Sequence, residues 1–169
     1  MLQYLYLIFL LSVSLVPEVL FRSVGLYVPL SAFAVFYAAF LCGLVPGALF
    51  GLAAGFLVDT LLGYSNPFSM LLYLLLLPPV WLLQEDHLNP KALWVQMGIG
   101  SLIVLLVQLP AAPIRGGWQV TLELLPSFFL ASLFAALLFP LFILVADLFS
   151  GLLNLRTYAS LFYSRRTHN

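Results

Sequence analysis

Six apolar stretches, at 2–20, 28–45, 46–63, 67–84, 91–109 and roughly 122–149, run almost end to end through this chain. Each approaches the roughly 20 residues that an α-helix needs to cross a bilayer. In lipid the backbone must satisfy its own N–H and C=O groups, which a helix does within one segment. Charge content points the same way. Only 7% of the residues are charged and 64% are hydrophobic, whereas a soluble domain carries about 25% charged residues. The sequence therefore predicts an all-α, polytopic membrane protein, a bundle of six spans.

Proline and glycine mark the span boundaries. Pro29, Pro46, Pro67 and Pro90 each suit a first helical turn, where no N–H partner is lost. Asn66 and Asn89 stand before two of them as N-caps. Gly63 fits the end of the third span. Pro78-Pro79 should bend the fourth span and Pro140 the sixth. Trp81, Trp94 and Trp118 fall near span ends, as an interfacial belt requires.

The opening "MLQYLYLIFLLSVSLVP" has no basic leader region and no small-residue cleavage site, so it reads as a retained first span. Six spans put both termini on one side. Arg156, Arg165, Arg166 and Lys91 share that side, and Arg22 and Arg115 lie opposite, which predicts cytoplasmic termini. Residues 1–151 form the bundle and 152–169 a tail. Leu152, Leu155, Tyr158 or Ala159, and Phe162 recur in the tail at helical spacing. The tail is expected to be an amphipathic surface helix whose Arg156, Arg165 and Arg166 meet anionic head groups.

Little in the sequence points to reaction chemistry. Formal net charge is zero, so no basic field marks a nucleic-acid partner. The single cysteine, Cys42, can form neither an internal disulfide nor a cysteine metal cage. Glu85, Asp86 and His87 are adjacent, but sequence neighbours face different directions, so a solvated loop is expected there and no metal. Ser12 and Ser14 should bond to their own helix backbone. No serine or cysteine has the histidine and acid nearby that activate a nucleophile, and no glycine-rich phosphate loop precedes a lysine. The chain is expected to be no enzyme and to carry no cofactor.

One pattern does stand out. In "GLVPGALFGLAAGFLVDTLLG", glycine recurs every fourth residue at 43, 47, 51, 55 and 63, and position 59 of that register is Asp59. Glycine at this spacing lets another helix approach to backbone distance, which in lipid has to supply the attraction that water supplies elsewhere. Four residues turn a helix by about 400°, so the row drifts about 40° per step. Such a spiral cannot serve one partner along its length. Gly47, Gly51, Gly55, Asp59 and Gly63 are the expected helix-packing residues, and Gly43 belongs to the turn before Pro46. A lone carboxylate in a span is a functional candidate by default. Asp59 either caps backbone nearby, or anchors contacts within the bundle or to a partner helix, or lies on an ion or proton path. "DTLLG" at 59–63 and "DLFSG" at 147–151 share an Asp-x-x-x-Gly spacing that would fit two inverted halves of three spans.

The stretch "GFLVDTLLGYSNPFSMLLYLLLL", preceded by "VFYAAFLCGLVPGALFGLAA", resembles the rod shape-determining protein MreD family. Members carry a glycine-rich span ending in an Asp-containing signature, a short Ser, Gly and Pro turn and a Leu-rich span. The early proline of "LVPE", Pro17, agrees as well, and the resemblance covers about residues 15–85. It implies a non-enzymatic scaffold of the lateral cell-wall elongation complex in the bacterial cytoplasmic membrane. It also implies partners: an MreC-like protein, with RodA and a penicillin-binding transpeptidase in the same machinery. The implied fold is a six-helix bundle similar to the substrate-binding subunits of energy-coupling-factor vitamin transporters. The alternative function is such a substrate-binding subunit, for which Asp59, Gln96, Gln108 and Asp147 are the available polar side chains.

Overall fold

The computed structural model describes residues 2–64, 68–84 and 92–158, without the side chains of residue 84 and of 115–123. Several expectations lie outside the described residues: the Glu85-Asp86-His87 loop, Lys91, the Asn66-Pro67 and Asn89-Pro90 starts, and the tail from 159 with Arg165 and Arg166. The side chains of Arg115 and Trp118 lie outside them too.

The regular structure there is helical: α1 (Leu2–Ser23), α2 (Leu30–Cys42), α3 (Leu44–Leu61), α4 (Phe68–Leu74), α5 (Leu77–Gln84) and α6 (Leu93–Leu152). Helix α6 doubles back on itself. The hydroxyl of Ser101 donates to the Ser132 carbonyl at 3.2 Å, whereas a straight helix would hold residues that far apart in sequence about 46 Å from each other. Its two arms, Leu93–Ile114 and Leu124–Leu152, are each long and apolar enough to cross a membrane. Gly100 lets them meet closely. A Cβ built there would lie 2.7 Å from Phe139 Cβ and would overlap the Ala135 carbonyl.

Four segments have crossing length: α1, α3 and the two arms of α6. The predicted spans 28–45 and 67–84 are shorter. Helix α2 has 13 residues, about 20 Å against a hydrocarbon core of about 30 Å. Its limits are set by backbone chemistry. Pro29 stands at its start, and Gly43, at φ +94°, reverses the chain into α3 within one residue. Pro46 then sits in the first turn of α3. The 67–84 segment divides at Leu75-Leu76. Pro78 and Pro79 have no N–H to give to the carbonyls of residues 74 and 75, and their rings crowd those carbonyls. The bend forecast from this pair is a full break between α4 and α5. Helix α6 runs through Pro140 without interruption.

Helix α2 is the axis of the bundle. Every residue from Leu30 to Leu41 is buried, and the helix packs against α1, α3, α5 and α6. Phe33 and Phe36 meet Phe139 of α6 edge to face, with ring centroids 5.1 and 5.5 Å apart. The outer faces of the long helices are apolar and exposed: Leu5, Phe9 and Val16 on α1, and Phe129, Leu137 and Leu144 on α6. This inside-out distribution suits a lipid solvent. Ser12 and Ser14 donate to the carbonyls of Ile8 and Leu10 at 2.9 and 2.7 Å, as the sequence led one to expect.

Three helices end in the same way. Gly25, Gly63 and Asn154 have positive φ, and the next N–H reaches back to the carbonyls of Phe21, Asp59 and Ser150 at 2.9 Å in each case. This left-handed cap closes the helix and turns the chain back over it. After Asn154 the chain is not helical up to Tyr158. Tyr158 is buried, with its ring 4.5 Å from that of Phe40. Tyr158 therefore packs into the bundle, and residues 153–158 form no surface helix. Replacing Tyr158 with Ala should cost about 2 kcal/mol or more, because it empties a filled site at the end of α2. A chain cut after Tyr158 should keep the thermal midpoint of the full protein in detergent, and one cut after Arg156 should not. Equal midpoints for the two truncations would show that the Tyr158 contact carries no stability.

Candidate functional site

Among the described side chains three carboxylates lie within the bundle: Glu18 on α1 and Asp59 on α3, both buried, and Asp147 on α6, half-buried. A buried charge costs several kcal/mol unless hydrogen bonds replace its water. Each of the three accepts a backbone N–H and a hydroxyl from elsewhere in the chain. Glu18 Oε2 accepts the Ser31 N–H at 2.8 Å and the Ser31 hydroxyl at 2.6 Å. Asp59 accepts the Ser69 N–H and the Ser69 hydroxyl, both at 2.7 Å. Asp147 Oδ1 accepts the Tyr158 N–H at 2.7 Å and the Tyr37 hydroxyl at 2.8 Å.

The first two are the same device. Ser31 and Ser69 are each the second residue of a helix, α2 and α4, where the N–H has no partner within the helix. A carboxylate there also meets the positive end of the helix dipole. Here it comes from the preceding helix across a turn, so the cap also fixes where the next helix begins. The sequence repeats the arrangement: Pro29-Leu30-Ser31 follows Glu18, and Pro67-Phe68-Ser69 follows Asp59.

Tyr73 of α4 joins the two clasps. Its hydroxyl shares a hydrogen bond with that of Ser31 at 2.5 Å, and the ring is fully buried. Arg22, one turn beyond Glu18, holds the second Glu18 oxygen at 3.0 Å and donates to the Tyr64 hydroxyl at 3.3 Å. Its Nε is buried without a partner. One polar cluster therefore binds the far ends of α1 and α3 to the starts of α2 and α4.

Asp147 closes the opposite end. Tyr6 of α1 donates to the Ala146 carbonyl at 2.6 Å. Ser150 donates to the Arg156 carbonyl at 2.8 Å, and Tyr158 is tied to Asp147 as above. Burial and the Asp147 charge together raise the Tyr158 phenol well above its ordinary pKa, so it stays neutral. The Asp-x-x-x-Gly likeness of 59–63 and 147–151 acquires a physical content: each aspartate clasps the chain that follows its helix, ten and eleven residues on.

The glycine register faces two neighbours in turn. A Cβ on Gly47 would lie 2.5 Å from Ala39 Cα of α2. One on Gly51 would lie 3.2 Å from Val35 Cγ1 of α2 and 3.6 Å from Tyr73 Cβ of α4. One on Gly55 would lie 2.5 Å from Met70 Cα and Ser69 C of α4. The row passes from α2 to α4 as it spirals, and Asp59, one turn further, takes hold of Ser69. Gly63 departs from the expectation. Nothing lies within 4 Å of a Cβ there, and its φ of +69° makes it the turn after α3 and not a packing contact. Gly43, at φ +94°, is likewise a turn. Arg156 is exposed beyond the end of α6.

Sequence reasoning missed Glu18, Ser31, Tyr37 and Tyr73 as parts of a site. Glu18 stood close to the end of the expected first span, 2–20, and no role was read for it. The signal that could have found it is the repeated Pro-x-Ser, each downstream of an acid in the preceding span. Among the described residues no cluster of three or more metal-binding side chains occurs. No protein-family model, curated protein or solved structure matches the chain.

Substitutions should rank by what they meet. Gly55→Ala and Gly47→Ala drive a methyl into another helix's backbone or Cα and should cost about 1–3 kcal/mol. Gly51→Ala meets one side-chain methyl that can move aside and should cost the least of the three. Asp59→Asn turns an acceptor into a donor facing donors, at about 1–3 kcal/mol. Glu18→Gln also removes the charge that Arg22 pairs with and should cost more, about 3–5 kcal/mol. Thermal midpoints of the purified variants give the order. Gly55→Ala at the wild-type midpoint would contradict the close approach of α3 and α4.

Proposed function

We propose that this chain is a non-enzymatic membrane scaffold of the lateral cell-wall elongation complex, a protein of the MreD type that supports cell shape. In this reading it is a six-segment bundle similar to transporter substrate-binding subunits. It sits in the bacterial cytoplasmic membrane with both termini inside, and its partners are an MreC-like protein, RodA and a penicillin-binding transpeptidase. The resemblance of residues 15–85 to that family supplies the identity. The observation that carries the scaffold reading is the use made of the acids within the bundle. Glu18, Asp59 and Asp147 each accept a backbone N–H and a hydroxyl. These bonds give helix positions, not a reaction centre.

A scaffold with little mass outside the membrane must offer its partners a fixed surface within it. Clasped helix starts hold such a surface in place. Exposed apolar side chains along α1 and the second arm of α6 supply it. There packing and small-residue contacts, not water exclusion, give affinity.

The test is recovery of the tagged full-length chain from membranes of its own host, with cell shape followed as the protein is depleted. A one-span, coiled-coil MreC-like protein should copurify, and rods should round up. A chain that purifies without it but with a tightly held vitamin would replace this reading with the transporter subunit.

A further inference from the structure

Among the described residues, the segments of membrane-crossing length differ in the reach they offer to lipid. Helix α3, Leu44–Leu61, has 18 residues, about 27 Å of axis. The second arm of α6, Leu124–Leu152, has 29, about 43 Å. A hydrocarbon core of about 30 Å lies between the two. Helix α2 takes α3 on its Val35 and Ala39 side and α6 on its Phe33 and Phe36 side. The short and the long span therefore stand on different sides of the bundle.

Both ends of α3 are polar turns. Gly43 ends α2 and starts α3, with no side-chain cap. The free carbonyls of the one helix and the free N–H groups of the other then need water, which hydrocarbon does not supply. That turn lies at headgroup level. At the other end Gly63 turns the chain, and Arg22 donates to the Tyr64 hydroxyl. An arginine sets that level at the interface too. Helix α1 repeats the measure. From Tyr6, tied to the Ala146 carbonyl, to Arg22 is about 24 Å along the axis. Helix α3 is also held in place: Gly47 lies on Ala39 of α2, Gly55 on Met70 of α4, and Asp59 holds Ser69. A short span fixed in this way makes the bilayer thin to meet it, whereas a long one takes up its excess by tilting.

We propose that the α1–α3 side of the bundle thins the bilayer to about 27 Å or less, and that the lipid shell there selects phospholipids with short acyl chains. The α6 side sets no such limit, so the bilayer steps in thickness around one protein. The inference rests on the membrane reading of the helices and not on a role in wall elongation.

Tryptophan quenching in the reconstituted full-length chain tests this. Trp81→Phe, Trp94→Phe and Trp118→Phe clear the background. A single tryptophan then enters by Phe56→Trp or Leu49→Trp on α3, or by Leu137→Trp on α6, all at exposed positions. The vesicles hold equal dimyristoleoyl- and dierucoyl-phosphatidylcholine, with one or the other brominated at mid-chain. The short lipid should be enriched about threefold over the long one at both α3 positions, and neither lipid should be enriched at Leu137→Trp. Equal enrichment on α3 and α6 overturns the proposal, and so does an excess of the long lipid on α3. An α3 face that neither lipid quenches also overturns it and assigns that face to a second copy.

Discussion

A carboxylate inside the bundle that accepts a free N–H of the next segment is the interaction on which this bundle depends. In water a helix start can turn to solvent for its unpaired N–H groups, and in lipid it cannot. The chain answers from the helix before: Glu18 for α2, Asp59 for α4 and, at the end of α6, Asp147 for Tyr158. The acid needs the N–H as much as the N–H needs the acid, since each alone would be an uncompensated polar group in a medium of low dielectric. The pairing therefore fixes position as well as energy, because a shift of one residue at the Ser31 or Ser69 start would strand both.

Helix α2 shows what that constraint permits. At about 20 Å it is too short to cross a bilayer alone, yet it is the most buried element of the protein. It can be short because side chains of longer helices hold it, Glu18 at its start through Ser31 and Asp147 further along through Tyr37. Its small and aromatic residues then do two jobs. Ala39 and Val35 accept the glycine face of α3, and Phe33 and Phe36 seat Phe139 of α6. The close approach of α3 to α4 at Gly55 is also what brings Asp59 within reach of Ser69, so packing and capping enforce each other.

The same shortness shapes the surface. Where α2 stops, α1 and α3 stand apart and leave an apolar groove between Tyr4 and Leu49. Where α2 begins, Tyr73, Ser31 and Glu18 fill the space between helices with hydrogen bonds. Both ends of the bundle are thus held by polar contacts within the chain, and the apolar groove lies beside those of Asp147 where α1 begins.

The sequence by itself determined the helical membrane character, the six apolar segments and most of their limits, because these follow from local chemistry. Length and hydropathy set the segments, Gly43 and Gly63 supply the left-handed turns, and Pro78-Pro79 break the fourth segment. The spiral of the glycine row was also legible, since it is a matter of helical pitch. Only the tertiary structure decided which helices the row meets, that Gly63 is a turn and not a contact, and that Tyr158 belongs to the core. It alone showed that Glu18, Tyr37 and Tyr73 share in the clasps. Those facts depend on which groups lie within about 3 Å of each other across tens of residues. Period and composition carry no information about that distance until the helices are packed.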